Sequence, residues 1–361
     1  MKNTIGNNVS ISLFGESHGE AIGAVIDGLA SGISIDEEFI GYMLSLRRPV
    51  GKISTPRSEE DKFRILSGVF GGKTTGTPIC IVIENNDTRS KDYTPDLPRP
   101  SHADYAARQK YGGFEDYRGG GHFSGRITAA IVAAGAIIIS ALNKKGVFIG
   151  THIKRLAGIN DIAFSDLSVD IKTLSGKEFA VLDDGIGEEM KKSIVAAKAE
   201  GDSVGGVLET AVIGLPAGVG EPWFDTVEGM LAKAIFSIPA VKGIEFGAGF
   251  SIADMRGSTA NDAFYSENGK VFTKTNNNGG INGGITNGMP IIFSTAIKPT
   301  PTISIEQETV NLDTSENTCL RASGRHDPCI VHRARVVIDC ITAIVLADLL
   351  ATRYGTGWLS K

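Results

Sequence analysis

The sequence predicts a mixed fold of helices and β-strands that is not a doubly wound nucleotide-binding sheet. Strand-like and helix-like segments are interleaved along the chain, and no G-x-G-x-x-G turn follows the first strand. Glycine fills 45 of 361 positions, well above the usual share of about 7%. With only 13 prolines and 42% hydrophobic residues, the chain is neither collagen-like nor disordered. The glycines therefore need a local reason, and backbone that must approach something closely is the first candidate.

From the N-terminus, residues 9–14 (VSISLF) alternate apolar and small polar side chains, as a half-buried strand does. Residues 21–28 (AIGAVIDG) are β-branched and give a second strand after a short loop. Residues 79–84 and 204–213 are further strands, the latter ending at an LPAG turn. Residues 127–142 (ITAAIVAAGAIIISAL) are almost wholly apolar, yet too short for an easy membrane span, and read as a buried helix. Residues 336–350 are similarly apolar but carry Asp339 and Asp348, which lipid would disfavour. Residues 188–200 and 226–236 have the pattern of amphipathic surface helices. Residues 157–184, polar and rich in aspartate, read as peripheral structure. Residues 276–284 (NNNGGINGG) read as a loop.

The N-terminus has one lysine and no apolar signal-peptide core. Cys80, Cys319, Cys329 and Cys340 show no C-x-x-C spacing, so reduced thiols, a cytoplasmic location and no membrane partner are expected. A net charge of −5 argues against a nucleic-acid partner. Between residues 41 and 126, however, 14 basic residues face 10 acidic ones. Several of these cations adjoin glycine or proline: Arg47-Arg48-Pro49, Arg99-Pro100, Arg118-Gly119 and Gly125-Arg126. Any one of them is as easily a solvated ion-pair partner. As a set, loop-borne arginines suit a small polyanion.

Gly15-Glu16-Ser17-His18-Gly19 fits the G-x-S-x-G nucleophile elbow, but that elbow needs a helix after the serine and a strand follows here. A serine hydrolase is therefore a lesser alternative. Gly71-Gly72-Lys73-Thr74 is close to the end of a Walker A loop, but Ser67 stands where that pattern has glycine. Gly76 and Pro78 would also break its helix, so it reads as a turn between strands. No H-E-x-x-H or paired C-x-x-C occurs, and His326 and His332 are not at zinc-ligand spacing, so no metal site is expected. Four of the six histidines, His18, His102, His122 and His326, sit in loop contexts beside charged or hydroxyl neighbours. A single histidine is usually structural, but several in such contexts favour acid–base chemistry near neutral pH. Gly119-Gly120-Gly121 lead into the apolar helix with Arg126 at its start, an arrangement that leaves N–H groups open to an anion.

Ten segments taken together resemble the chorismate synthase family: GESHGEAIGAVIDG from Gly15, RRP from Arg47, RPSHADYAARQKYG from Arg99, DYRGGGHFSGRITAAIVAAGA from Asp116, GDSVGG from Gly201, LPAGVGEP from Leu215, AVKGIEFGAGF from Ala240, NGGINGG from Asn278, KPTPTI from Lys298 and GRHDPC from Gly324. They run in that family's order across nearly the whole chain. The resemblance implies an α+β fold in which antiparallel β-sheets sandwich a helical layer, in a single large domain over residues 1–361, assembled as a homotetramer. It implies conversion of 5-enolpyruvylshikimate 3-phosphate into chorismate and phosphate by 1,4-anti elimination. Reduced FMN (FMNH2) is the implied cofactor, and NADPH enters only as an external reductant.

The same resemblance implies site residues. His18 matches a general acid at the leaving phosphate, His102 a residue that sets the protonation of reduced flavin, and Asp327 a proton acceptor from flavin N5. Ser17 and Ser124 match proton relays. Arg47, Arg48, Lys52, Arg126 and Arg325 are the expected substrate-binding cations. Flavin contacts are expected from His122, Phe123, Ser124, Pro239, Ala240, Gly283, Lys298, Pro299, Thr300, Pro301, Thr302 and Arg325. Many family members carry Arg-Ser-Ser-Ala-Arg-Glu where this chain has His122-Phe123-Ser124-Gly125-Arg126-Ile127; Pro239, Ala30 and Asp339 replace a common asparagine, proline and glutamate. A non-catalytic flavin- or nucleotide-binding protein is the remaining alternative.

Overall fold

A computed structural model describes residues 2–55, 60–86, 94–322 and 327–360. The first sheet is built from β1 (Thr4–Ile5), β2 (Ser10–Gly15), β3 (Ala21–Asp27) and β4 (Phe63–Ile65). A two-stranded turn of β5 (Val69–Phe70) and β6 (Lys73–Thr74) follows, then β7 (Ile79–Glu84). The sheet order is β1-β2-β3-β7-β4, with every neighbour antiparallel. Ile22, Ala24 and Ile26 on β3, with Ile79, Ile81 and Ile83 on β7, are buried on one face. That is the period of two expected of a half-covered sheet. Gly71 and Gly72 make the β5–β6 turn, as the sequence predicts.

The second sheet contains β8 (Phe148–Leu156), β9 (Ile159–Asn160), β10 (Gly206–Ile213), β11 (Val241–Phe246) and, beyond two small hairpins, β16 (Ile291–Ile297). Its order is β11-β16-β10-β8-β9, again antiparallel throughout. The hairpins pair β12 (Phe264–Glu267) with β13 (Lys270–Thr273) and β14 (Ile281–Asn282) with β15 (Ile285–Thr286); a third joins β17 (Gln307–Val310) to β18 (Asn317–Leu320).

The α-helices of the described residues are α1 (Glu37–Ser45), α2 (Asp104–Tyr111), α3 (Thr128–Lys144), α4 (Leu167–Ser175), α5 (Asp184–Ala199), α6 (Val227–Ile235), α7 (Gly257–Ala260) and α8 (Val331–Tyr354). The long helices α3 and α8 pack on each other, α3 against β3 and β7, α8 against β8 and β10. They form the layer between the two sheets, and the buried apolar side chains of both sheets and both helices belong to one connected core. The α3–α8 crossing is close at Gly135, where a Cβ would collide with Cβ of Cys340. α3 is apolar all round because it is enclosed all round: residues 125–144 would be long and apolar enough for a membrane span, but 89% of that window is buried inside the molecule. The two aspartates of α8 have internal partners. Asp339 accepts from Thr151 Oγ1 at 2.6 Å, and Asp348 accepts the backbone N–H groups of Asn7, Asn8 and Val9.

Two sequence expectations change. Residues 157–184 are peripheral only in part: none of 157–170 is buried, but Ile171, Leu174, Phe179, Ala180 and Val181 are, and α4 packs on β8. Asp161 receives the N–H groups of Leu182 and Asp183 at 2.6 and 3.0 Å, so this aspartate satisfies backbone rather than water. The helix expected at 188–200 begins at Asp184 because Asp183 caps it, accepting from Ile186 N at 3.0 Å.

Candidate active site

An open cleft of about 1120 Å³ lies where α3 and α8 begin. Its floor includes Thr128 and Ile131 of α3 and Arg333, Ala334, Val337 and Ile341 of α8. The positive ends of both helix dipoles therefore face it, which favours anions. Loops from both sheets supply the walls. Of the residues singled out from the sequence, His18, Arg47, Arg48, His102, His122, Phe123, Ser124, Arg126, Pro239, Ala240, Lys298, Thr300, Pro301, Thr302 and Asp327 all line this one cleft.

The glycine triplet explains how two histidines reach the same place. Gly119, Gly120 and Gly121 have φ of +61°, +81° and +54°, a left-handed path that side chains resist. A Cβ on Gly119 would strike the His18 ring and lie 2.8 Å from Ser17 Oγ. One on Gly120 would lie 2.9 Å from Cε1 of His102. The two imidazoles thus rest on consecutive residues of one backbone. The β2–β3 loop is laced to this turn: Ser17 N donates to the Gly121 carbonyl at 3.0 Å, and His122 Nδ1 donates to the Gly15 carbonyl at 2.8 Å. No helix follows Ser17, and its side chain is fully buried, so the nucleophile-elbow reading fails on geometry.

His102 is oriented by Asp104, the charged neighbour two residues further along the chain. Its Nδ1 lies 2.5 Å from Asp104 Oδ1 and 3.1 Å from Arg99 Nη2. A carboxylate only accepts, so Nδ1 carries the proton towards Asp104 and Nε2 is the nitrogen left for chemistry. Burial would raise the Asp104 carboxyl, but the hydrogen bonds from His102 and Arg99 outweigh it and hold the group well below the ordinary carboxylate range.

The cations are held as a set. Arg126 donates to Asp61, to Asn85 Oδ1 at 2.9 Å and to the Glu84 carbonyl at 3.2 Å. Arg47 stands 3.7 Å from the other Asp61 oxygen, and Arg48 donates to the Glu60 carbonyl. Asp61 was not legible as a site residue, although it is buried between two arginines with φ of +50°. Strained non-glycine backbone of that kind concentrates at functional sites. Lys298 donates to the Ser101 carbonyl; burial, then the charge of Lys242, pushes its ammonium below the ordinary lysine value.

Asp327 enters from the segment before α8, paired to Arg333. Burial raises its carboxyl above the ordinary value, while Arg333 and Lys198 oppose that. Ser124 Oγ accepts from Arg126 N at 3.3 Å. Phe123 packs edge-on against Tyr111, with centroids 6.1 Å apart.

Other expected residues lie elsewhere. Ser17 is buried behind His18. Lys52 does not line the cleft; its carbonyl accepts from Lys198 Nζ at 2.9 Å. Gly283 sits in the β14–β15 turn and Pro299 against Gly205, neither on the cleft wall. Arg325 and His326 lie outside the described residues.

The family model for chorismate synthase matches residues 9–351. The chain belongs to the chorismate synthase family. Among curated relatives, the chorismate synthase of Dehalococcoides mccartyi is 48% identical over 98% of both chains. That of Thermococcus kodakarensis is 44% identical over 96% of this chain and 97% of its own. A solved chorismate synthase structure superposes with a TM-score of 0.77 at 31% identity, covering 97% of this chain and 94% of that one. The α+β arrangement of antiparallel sheets around a helical layer is thus that of a chorismate synthase. Where many chorismate synthases carry Arg-Ser, His122 and Phe123 spend their contacts on the Gly15 carbonyl and the Tyr111 ring.

Proposed function

We propose that this member of the family converts 5-enolpyruvylshikimate 3-phosphate into chorismate and phosphate by 1,4-anti elimination, as a carbon–oxygen lyase, with reduced FMN bound beside the substrate. The observation that carries the reading is the convergence of His18, His102, Asp327 and the loop cations on one cleft at two helix N-termini. A substrate with a phosphate and two carboxylates brings a charge of roughly −4. Arg47, Arg48 and Arg126 provide fixed positive charge on one wall, Lys298 on another.

The residues present fit a flavin. A cavity of about 1120 Å³ exceeds the roughly 300–1,000 Å³ of a single small-molecule pocket, leaving room for two ligands. The hydroxyl of Thr300 is buried and has no partner among the described residues, as expected of a group reserved for a ligand. Thr300, Pro301, Thr302, Ala240 and Lys298 would hold it. Reduced FMN, when bound, supplies the transient electron density that lets the phosphate leave without net oxidation. The chain's own part is acid–base and electrostatic. His18 donates a proton to the departing phosphate, His102 presents Nε2 with Asp104 behind it, and Asp327 accepts a proton. The arginines offset charge as it moves to the phosphate.

A homotetramer is part of this reading. Trp223, Phe224 and Phe250 are 84%, 94% and 85% exposed, and rings of that size are commonly covered by another subunit. A cytoplasmic location and NADPH as an external reductant complete it. Mixing the protein anaerobically with dithionite-reduced FMN and substrate should release phosphate and chorismate together; no release from correctly folded, FMN-loaded protein would overturn the function.

A further inference from the structure

Within α8, from Val331 to Ala351, every residue is buried except Arg333. Arg333 lines the cleft, and its guanidinium makes two separate contacts. Nη1 donates to Oδ2 of Asp327, and Nε donates to the Arg47 carbonyl at 2.7 Å. One planar group thereby joins the carboxylate to the backbone of an anion-binding arginine. Lysine, with a single ammonium, lacks that fork.

Asp327 is 9% exposed, and its Oδ1 has no hydrogen-bond partner among the described residues. A buried carboxylate oxygen left unpaired is costly and needs an explanation. We propose that Arg333 is the positioning residue for Asp327, holding Oδ2 and anchoring it to the Arg47 backbone so that Oδ1 is the oxygen that takes the proton. The inference deepens the function proposed above, on which it relies for the identity of the proton donor. In that step an O–H bond forms at Oδ1, the donor keeps the bonding electron pair, and the carboxylate becomes a neutral acid. Return of the proton restores the ion pair with Arg333.

The surroundings suit this role. The groups acting on Asp327 are Arg333 from α8, Lys198 from α5 and the Cys329 backbone N–H. Burial pushes the carboxyl up and these three pull it back. The neighbouring His332 adds no charge: burial, with the charges of Arg333 and Lys191, pushes its imidazole down to about 3, and Nε2 is 2.9 Å from Ser54 Oγ.

The deciding experiment titrates Asp327 in cofactor-free protein by 13C NMR of labelled aspartate, with Asp327→Asn identifying the resonance. Arg333→Gln should place the midpoint about 1–3 pH units higher, the usual effect of removing an adjacent arginine. Arg333→Lys should keep the midpoint near that of the wild type while lowering kcat about tenfold or more through lost geometry. A midpoint unmoved in folded Arg333→Gln overturns the proposal. If Arg333→Gln does not fold, the lysine variant decides, and a wild-type kcat there overturns it. Wild-type protein that releases no phosphate would remove the functional reading, while the titration would still decide the pairing.

Discussion

His18 and His102 rest on consecutive glycines, the first ring against Gly119 and the second against Gly120. Their spacing is therefore tied to one peptide unit with positive φ, against which the loops that carry them are packed. Gly119→Ala must move the His18 ring, and it adds about 1–2 kcal/mol of backbone strain. Turnover should fall by about 100-fold, the scale of a displacement near 1 Å. Steady-state phosphate release measures this, and an alanine variant as fast as wild type would show that the glycines do not space the rings.

The three proposed proton-transfer groups should respond alike in one respect and differ from binding residues in another. His18→Ala, His102→Ala and Asp327→Asn should each lower kcat by about 10²–10⁴. FMN binding, followed by fluorescence quenching, should persist in all three. A wild-type rate in Asp327→Asn would remove its role.

Asp104 acts through His102. Asp104→Asn replaces an acceptor-only group with one that can present N–H to Nδ1, which frees the other tautomer. We expect kcat to fall about tenfold or more with KM little changed, as for loss of acid–base competence rather than binding. A proportionate rise in KM with unchanged kcat would instead assign Asp104 to substrate binding.

Away from the cleft, His152 is buried between two carboxylates, Nδ1 at 3.0 Å from Asp161 and Nε2 at 3.2 Å from Glu209. Burial would lower the imidazole, but hydrogen bonds to Asp161 and Glu209 prevail and raise it above its ordinary value. The imidazolium therefore contributes stability that is complete below the unfolded value near 6.5 and is lost as pH rises through the raised folded value. Asp161 and Glu209 are both lowered, against burial, chiefly by the bond from His152. Their contribution is present above the ordinary carboxylate range and is lost as pH falls through their folded values. Stability measured by urea unfolding should decline on both sides of this window, and His152→Gln should flatten the alkaline decline. Equal slopes in the two proteins would show that the network does not carry the linkage.

Asp348 fixes the N-terminal turn to α8 through three backbone N–H groups. Asp348→Ala strands those donors, each worth about 1–3 kcal/mol where buried. The midpoint of thermal unfolding should drop by several degrees, and calorimetry would detect it. An unchanged midpoint would mean that water replaces the carboxylate.

Much of this site was legible in local sequence. Ser17-His18, Arg47-Arg48, the glycine triplet and the segment from Lys298 to Thr302 carry their chemistry in short runs, so reading the runs locates them. Asp61 and Arg333 were not legible in that way. Each is an ordinary charged residue in sequence, and each meets a partner distant in the chain. Asp61 meets Arg126 across 65 positions, and Arg333 meets the Arg47 carbonyl across 286. The burial of Phe179, Ala180 and Val181 was not legible for the same reason, because Asp161, which accepts the N–H groups of Leu182 and Asp183, looks in sequence like a solvated aspartate.

By itself, then, the sequence determined the strands at 9–14, 21–28 and 79–84, the apolar helix that runs through Leu142 and which histidines and arginines to look for together. Periodicity and residue type are local properties, and they survive without a fold. Only the tertiary structure decided that the charged loops meet where α3 and α8 begin, that His122 and Phe123 serve as loop fastenings, and that Lys52, Pro299 and Gly283 stand off the cleft wall. Those outcomes depend on packing across sheets and helices, and direction and distance between remote segments are fixed only once the core has closed.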